Sequence, residues 1–231
     1  IIAQAAATAA MMMPGRFVLG LGSGENLNEH VFGDRWPPAP VRIEMLEEAV
    51  EVIRLLWKGG MQDYYGAFYT LENAQVFSLP EELPPIYIAS EGPISASMAA
   101  RVGDGFINPG SNAEENLIIF RDSGGGDKPA YIENSVCWVQ TEEEGRRTAY
   151  EQWPIAANTG ELNRVLPTPT HYEQAAKMVT PEDVAEYVVC GPDPEAHIKK
   201  IEESIGKGFD HVCIHQIGHQ QREFMEFYTK E

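Results

Sequence analysis

Residues 17–30 read FVLGLGSGENLNEH, so an apolar run changes into glycines and then into a carboxylate and an amide. The apolar part, Phe17 to Leu21, predicts a fully buried strand, and the glycines predict a turn after it. Glu25 and Asn28 would then lie just beyond the carboxyl end of that strand. This leaves two interpretations open: the polar residues satisfy a local turn, or they form one wall of a ligand site.

Polar, glycine-rich turns also follow later apolar strands, at Ser90–Gly92, Asn108–Gly110 and His215–Gly218. The predicted strands are Phe17–Leu21, the apolar parts of PPIYIAS and GDGFINPG, Ile132–Gln140 and the apolar part of FDHVCIHQIG. They alternate with helical segments, and this order predicts a parallel sheet with right-handed crossovers. Ligand-facing turns on one rim are typical of a TIM (β/α)8 barrel. Neither a GxGxxG turn nor a P-loop lysine is present.

Five βα units cannot close an eight-stranded barrel. We therefore expect residues 1–231 to be a single domain, the incomplete C-terminal part of an α/β barrel with about its last five βα units. The opening stretch IIAQAAATAAMMMPG predicts a helix that starts with the chain, so we expect a missing upstream segment. Residues 61–80 alternate aromatic and polar side chains and predict a small hairpin insertion.

An amphipathic helix is predicted in VRIEMLEEAVEVIRLLWKGG. Leu46, Val50, Ile53 and Trp57 would form its buried face, with the glutamates mostly elsewhere.

Three further helix starts are predicted from local sequence. Thr180 would be an N-cap, with Pro181 at the first helical position and Asp183 in the first turn. Asp193–Pro194 would open another helix, and Pro93 would lie close to the start of a helix in GPISASMAARVG.

Charge excludes two classes of partner. The chain has 35 acidic and 17 basic residues and a net charge of −18, which repels phosphodiester backbones and anionic lipid. We therefore expect a small-molecule substrate, with no nucleic acid and no membrane surface. The three cysteines, Cys137, Cys190 and Cys213, are far apart in apolar surroundings and predict reduced, buried thiols in a cytoplasmic protein.

A family resemblance rests on several stretches together: AQAAATAAMMMPGRFVLGLGSGENLNEH, LEEAVEVIRLLW, PIYIAS with the following GP, AARVGDGFI, GPDPEAHIKKI and HVCIHQIGHQQREF. The chain resembles the luciferase-like superfamily of flavin and deazaflavin barrels. Within it, the chain is most similar to the coenzyme F420-dependent glucose-6-phosphate dehydrogenase family. The resemblance makes Phe17–Leu21 the fourth strand of the barrel and Phe209–Gln216 the eighth.

The resemblance implies an F420-dependent dehydrogenase that moves a hydride from an alcohol or sugar to the deazaflavin. Glu25 would be the acid that protonates the reduced cofactor, and Ser23, Gly24 and Asn28 would line it. The loop of Ala89, Ser90, Glu91, Gly92 and Pro93 would pack on its ring and tail. The family's catalytic histidine, with its aspartate and tryptophan, has no counterpart in these 231 residues, so this chain alone is expected to be inactive. Family members are often homodimers.

The substrate positions depart from the family pattern. Cations that hold the sugar phosphate fall at or near Asn112, Tyr187 and the Asn163–Arg164 pair, and only Arg164 could substitute for one. Because a phosphate dianion needs fixed lysine or arginine donors, we expect a neutral alcohol or a different sugar. An FMN-dependent luciferase-like monooxygenase or reductase, and an inactive fragment, are the alternatives.

His211, Cys213 and His215 alternate along the last predicted strand, and His219 follows. A metal site could use such a cluster, but zinc sites combine clustered ligands with a second pair elsewhere. We therefore expect buried polar side chains at the barrel rim, satisfied by hydrogen bonds, and no metal.

Overall fold

The computed structural model describes residues 1–158 and 160–230. Its α-helices are α1 (Ile2–Met12), α2 (Asn26–Glu29), α3 (Ala39–Leu56), α4 (Pro93–Val102), α5 (Ala113–Phe120), α6 (Glu142–Gln152), α7 (Leu162–Val165), α8 (Pro169–Ala176), α9 (Pro181–Ala185), α10 (Pro194–Gly206) and α11 (Gln221–Lys230). Its strands are β1 (Leu19–Leu21), β2 (Gln62–Tyr65), β3 (Thr70–Ala74), β4 (Ile86–Ala89), β5 (Gly105–Asn108), β6 (Ala130–Cys137), β7 (Val189–Cys190) and β8 (His211–Gln216). Within these residues, no helix has the length and apolar composition needed to cross a membrane.

The chain divides into two compact units. The first comprises Ile1–Ser23 and Pro37–Tyr131, and the second comprises Gly24–Trp36 and the chain from Ile132 onward. In the first unit β1 pairs with β4 and β4 pairs with β5, all parallel, with Leu19 opposite Ile86. Helices α3 and α4 supply the crossovers between these strands, which confirms the predicted βα alternation.

Strand β1 is not fully buried, so that part of the prediction was wrong. Leu19 and Leu21 are half-buried and Gly20 is exposed. This exposure follows from the position of β1, which lies at the end of the strand order and has β4 as its only strand neighbour among the described residues.

The core of the first unit lies between the parallel strands and their helices. The predicted face of α3 is confirmed, with Val50 and Ile53 buried on the helix and Trp57 buried just after it. Trp57 Nε1 donates to the Ala3 carbonyl over 2.9 Å, which attaches the end of α3 to α1. Buried side chains such as Ile86, Ile88, Met98, Phe106 and Phe120 complete this core.

The segment predicted as a hairpin contains an antiparallel pair, β2 and β3. Its turn is held by Glu48, a residue of α3 that is 9% exposed. The Glu48 carboxylate accepts hydrogen bonds from the backbone N–H groups of Ala67, Phe68 and Tyr69 over 2.8–3.1 Å. Glu48 is therefore buried rather than on the expected solvent face, because its carboxylate satisfies three backbone donors of the turn.

In the second unit β6 pairs in parallel with β7 and also pairs with β8. Strand β6 ends at Cys137 rather than at Gln140. At the next residue, Trp138, the side chain of Gln216 replaces the backbone pairing of a strand. Its Oε1 accepts from the Trp138 N–H and its Nε2 donates to the Trp138 carbonyl, each over 2.9 Å.

Two predicted helix starts in the second unit are confirmed. Thr180 caps α9, with Pro181 at the first helical position and Asp183 completing a capping box. Asp183 accepts a hydrogen bond from the Thr180 hydroxyl, which lowers the pKa of that carboxyl. Asp193 caps α10 in the same way, with its carboxylate accepting from the Glu195 N–H.

The cysteines differ in their surroundings. Cys137 is buried and Cys190 is half-buried, but Cys213 is exposed, so the prediction of three buried thiols was wrong for this residue. Alternation along β8 explains the difference, since His211 and Cys213 are exposed while Val212 and Ile214 between them are half-buried.

Candidate functional site

The turn after β1 presents Glu25 at the start of α2. Glu25 has an extended backbone, and its carbonyl accepts from the N–H groups of Asn28 and Glu29 over 3.0 and 3.1 Å. Its side chain does not cap the helix. The carboxylate therefore does not cap the local turn, so the turn-capping role considered for Glu25 is not observed.

The Glu25 carboxylate is paired with Arg164 of α7. Arg164 Nη1 lies 3.2 Å from Glu25 Oε1, and the two side chains are 28% and 38% exposed, respectively. A second contact lies beside this ion pair, where Asn26 Nδ2 donates to the Val165 carbonyl over 2.8 Å. Two adjacent residues of the turn are thus joined to two adjacent residues of α7.

Helix α7 is itself fixed by further hydrogen bonds. The Tyr172 hydroxyl donates to the Asn163 carbonyl over 2.7 Å, and Asn163 Nδ2 donates to the Ile155 carbonyl over 3.0 Å. Burial, and then the negative charge of Glu25, raise the pKa of Tyr172, so its hydroxyl keeps its proton. These bonds fix α7, the helix that carries Arg164, in addition to its contacts with Glu25 and Asn26.

Glycine is required before Glu25. Gly24 has a φ of +78°, and a Cβ there would lie 3.2 Å from Glu29 Oε1 and 3.4 Å from a ring carbon of Trp36. A larger residue would strain the backbone and press on both side chains. Asn28 has an exposed side chain, and Ser23, the last residue of the first unit's opening segment, is half-buried.

A separate polar group lies in the first unit, at the end of β4. Ser90 is 3% exposed, its hydroxyl lies 2.6 Å from the Ser95 hydroxyl, and it donates to the Gly92 carbonyl over 3.2 Å. The Ser90 carbonyl accepts from Asn108 Nδ2 over 3.0 Å, which ties the ends of β4 and β5 together. The serine therefore fixes the loop from within.

The loop that Ser90 supports leads directly into α4. Gly92 is the N-cap of this helix and Pro93 is its first residue, as predicted. A Cβ on Gly92 would meet no atom within 4 Å, so the backbone here borders open space. Ala89 and Glu91 are half-buried.

The predicted substrate residues have three different environments. Asn112, in the first unit, is exposed and has a φ of +46° at the start of α5. Tyr187, in the second unit, is 52% exposed and follows α9. Arg164 is engaged with Glu25.

The expectation of buried polar side chains on β8 was wrong for His211 and Cys213, which are exposed, while His215 on the same strand is half-buried. His215 Nδ1 lies 3.3 Å from Glu133 Oε1, and its ring meets Trp153 edge-on with centroids 5.1 Å apart. Across residues 1–158 and 160–230, no group of three or more histidine, cysteine, aspartate or glutamate side chains has a geometry that could hold a metal ion.

Sequence reasoning missed two of the residues that support Glu25, namely Asn26 and Tyr172, and it named Asn163 only as part of a substrate-phosphate position. Asn26 carried a local signal, because it is the amide directly after the carboxylate. The supporting roles of Asn163 and Tyr172 carried none, since Glu25 and Arg164 are 139 residues apart and only the fold brings their neighbourhoods together.

Parallel strands joined by helices, with polar turns at the strand ends, place the chain in the α/β class that includes the barrels. The chain belongs to the luciferase-like monooxygenase family, whose model matches residues 1–211. A protein of Microbacterium testaceum named F420-dependent glucose-6-phosphate dehydrogenase is 33% identical over 245 residues, which cover 100% of this chain and 72% of that protein. A protein of Mycobacterium avium with the same name is also 33% identical, with the same coverage.

Among solved structures, an F420-dependent secondary alcohol dehydrogenase in complex with an F420–acetone adduct superposes with a TM-score of 0.89. Its sequence is 25% identical, and the match covers 99% of this chain and 72% of that one. The fold is therefore the α/β fold of the luciferase-like barrels, and the chain matches part of the length of its relatives.

Proposed function

We propose that this protein is a coenzyme F420-dependent oxidoreductase that transfers a hydride from an alcohol or sugar to the deazaflavin. The names of the relatives support the class of reaction. The observation that carries the proposal for this chain is the Glu25 carboxylate, which lies just beyond the carboxyl end of β1 and is held by Arg164 rather than used by its own turn.

When bound, the deazaflavin accepts a hydride and then needs a proton on a ring nitrogen. Glu25 is proposed to pass on that proton: paired with Arg164 it is a carboxylate, and during turnover it takes a proton from solvent and gives it to the ring nitrogen. Arg164 contacts Oε1, which fixes the plane of the carboxyl group, and the other oxygen, Oε2, is the atom that takes and gives the proton. The alcohol hydroxyl must lose its own proton to a separate base, which the family resemblance places outside these residues.

Two groups of residues fit parts of such a cofactor. Ser23, Gly24 and Asn28 lie in the turn around Glu25. In the first unit, Ala89, Ser90, Glu91, Gly92 and Pro93 form a fixed loop next to open space, at the start of a ten-residue helix. The first N–H groups of a helix lack partners within it and favour negatively charged groups such as phosphates. Each group is proposed to bind the cofactor, and the support for one group does not depend on the other.

The test uses the product of the whole reading frame that contains these 231 residues. F420 binding is measured by titration, and turnover with secondary alcohols and sugars is followed by loss of the oxidised cofactor's visible absorbance. Glu25→Gln should retain binding and lower kcat by about 10²–10⁴-fold, the usual contribution of a positioned acid. Glu29→Gln is the matched control, because Glu29 is an exposed carboxylate four residues away. Absence of F420 binding, or a yellow protein that binds FMN and consumes oxygen, would contradict the proposal.

We also propose that the protein is a cytoplasmic homodimer. The family resemblance and several exposed apolar side chains, such as Phe77 at 87% exposure, support an association surface. Light scattering of the purified protein tests the oligomeric state, and a monomer at micromolar concentration would contradict it.

A further inference from the structure

The positive charge of Arg164 is already engaged in an ion pair. Its guanidinium pairs with Glu25 over 3.2 Å, and the arginine side chain is only 28% exposed. Of the three residues predicted at the substrate phosphate, Arg164 is the one with a positive charge, since Asn112 and Tyr187 carry none. The charge expected to hold a phosphate is therefore already neutralised by a neighbouring carboxylate.

The pairing is built into the fold of the second unit rather than made by two mobile surface chains. Asn26 holds the residue after Arg164 through the Val165 carbonyl, and Tyr172 holds the residue before it through the Asn163 carbonyl. Arg164 is thus bracketed by hydrogen bonds to both of its neighbours. The Arg164 side chain therefore loses little conformational entropy when it pairs with Glu25, unlike the side chains of an exposed ion pair on long flexible stems.

A phosphate placed on Arg164 would also lie close to Glu25. The carboxylate would repel the dianion and would lose its own partner if the guanidinium turned away. The net charge of −18 adds a long-range field of the same sign. An uncharged hydroxyl group meets neither penalty.

We propose that Arg164 is a positioning residue for Glu25, and that this pairing makes the site select an uncharged alcohol over a phosphorylated sugar. This inference rests on the proposed function, because it names the substrate class of the same site. It predicts that Arg164 acts on the reaction through Glu25 and not by holding substrate.

A binding experiment tests the charge argument without turnover. Inorganic phosphate is titrated calorimetrically into the wild-type protein, Glu25→Gln, and the double variant Glu25→Gln/Arg164→Gln. The wild type should bind weakly, Glu25→Gln should bind roughly tenfold or more tightly because a charge-assisted donor is released, and the double variant should return to the wild-type level. Phosphate binding by the wild type that Arg164→Gln abolishes would overturn the inference, as would no gain in Glu25→Gln.

A kinetic experiment tests the positioning role, with 2-propanol and glucose 6-phosphate as substrates. Arg164→Gln should lower kcat for 2-propanol at least tenfold, leave its KM within about threefold and shift the pH profile of kcat, and Arg164→Lys should recover part of the loss. Arg147→Gln is the control, since Arg147 is 69% exposed. An unchanged pH profile in Arg164→Gln, or a wild type that prefers glucose 6-phosphate, would overturn the inference.

The two experiments separate the possible failures. If no substrate reduces F420, the proposed function fails. The phosphate titration still decides whether Glu25 neutralises the charge of Arg164. If turnover occurs with glucose 6-phosphate as the better substrate, the proposed function stands and this inference fails.

Discussion

His197 is a buried histidine whose hydrogen bonds define its charge state. It is 2% exposed, its Nε2 lies 2.9 Å from the Gly191 carbonyl, and its Nδ1 lies 2.8 Å from the Tyr228 hydroxyl. A carbonyl can only accept, so Nε2 carries the proton and Nδ1 accepts from Tyr228 in the neutral ring. Burial lowers the pKa of His197 and raises the pKa of Tyr228 to about 12, in keeping with two neutral partners.

This arrangement predicts a loss of stability in mild acid. Above pH 6.5 His197 is neutral in the folded and unfolded states, so its contribution to stability is constant. Below pH 6.5 the unfolded chain binds a proton first, and stability falls until the pH reaches the lower folded-state pKa, with a slope of at most about 1.4 kcal/mol per pH unit. Urea unfolding between pH 7.5 and 5 should show this slope in the wild type and a smaller one in His197→Gln. The exposed His219→Gln is the control, and equal slopes in all three proteins would contradict the assignment.

The thiols should react in a defined order. Burial raises the pKa of Cys137 to about 12 and that of Cys190 to about 11, so at pH 8 the thiolate of Cys137 is about one part in ten thousand. Ellman's reagent should therefore label Cys213 in the native protein, and the other two should react only after unfolding. A Cys213→Ser variant should show almost no fast phase, and a fast phase of unchanged size in that variant would contradict this order.

Some residues of the candidate site could be recognised from the sequence and others could not. The apolar run that ends in glycine identified Glu25 and Gly24, because strand ends and positive-φ turns leave a local trace in composition. The partner of Glu25 left no such trace. Arg164 was singled out by family resemblance as a phosphate ligand, whereas its contact with Glu25 depends on how α2 and α7 pack, which is a tertiary property.

The hairpin of β2 and β3 is held by a helix residue as well as by its own turn, in which the Gly66 N–H donates to the Tyr69 carbonyl over 2.9 Å. Glu48 of α3 binds the N–H groups of three consecutive turn residues. Gly66 lies against the same carboxylate, and a Cβ there would collide with Glu48 Oε1. The turn and the helix face are thus complementary, and neither position tolerates a change without affecting the other.

Glu48→Gln should destabilise the protein by about 2 kcal/mol, because an amide offers one acceptor and turns a donor toward the N–H groups of the turn. The unfolding midpoint in urea measures the loss, and limited proteolysis within residues 66–69 should become faster. Glu44→Gln, on the exposed side of the same helix, is the matched control. A variant as stable and as protease-resistant as Glu44→Gln would show that the carboxylate does not hold the turn.

At the level of elements, periodicity and caps predicted most helices, and the ends of strands were predicted less well. The buried face of α3 and the caps of α9 and α10 follow from spacing and from side chains close in sequence. The end of β6 does not follow from the local sequence. The Gln216 side chain, which replaces the strand hydrogen bonds at Trp138, is 78 residues away. Local pattern therefore identifies elements, and distant side chains decide where they stop.

The whole molecule carries far more negative than positive charge, and two electrostatic effects of salt oppose each other. Salt weakens surface ion pairs such as Arg101–Glu47 and Arg146–Glu142, at 2.9 and 2.6 Å. Exposed pairs of this kind contribute about 0–1 kcal/mol each. Salt also screens the mutual repulsion that follows from 35 acidic against 17 basic residues. The repulsion involves every excess charge, so it should dominate over a few exposed pairs.

Added salt should therefore stabilise this protein at pH 7. The screening length falls from about 30 Å at 0.01 M to about 10 Å at 0.1 M, which removes most repulsion between distant carboxylates while leaving buried contacts such as Glu48 with its turn largely unscreened. The urea midpoint should rise between 10 and 200 mM NaCl, and most of the rise should occur below 100 mM. Near the isoelectric point of about 4.7 the net charge is close to zero, so the same addition should have little effect or reverse sign. A midpoint at pH 7 that falls with salt would mean that specific ion pairs, and not the net charge, dominate the electrostatic free energy of folding.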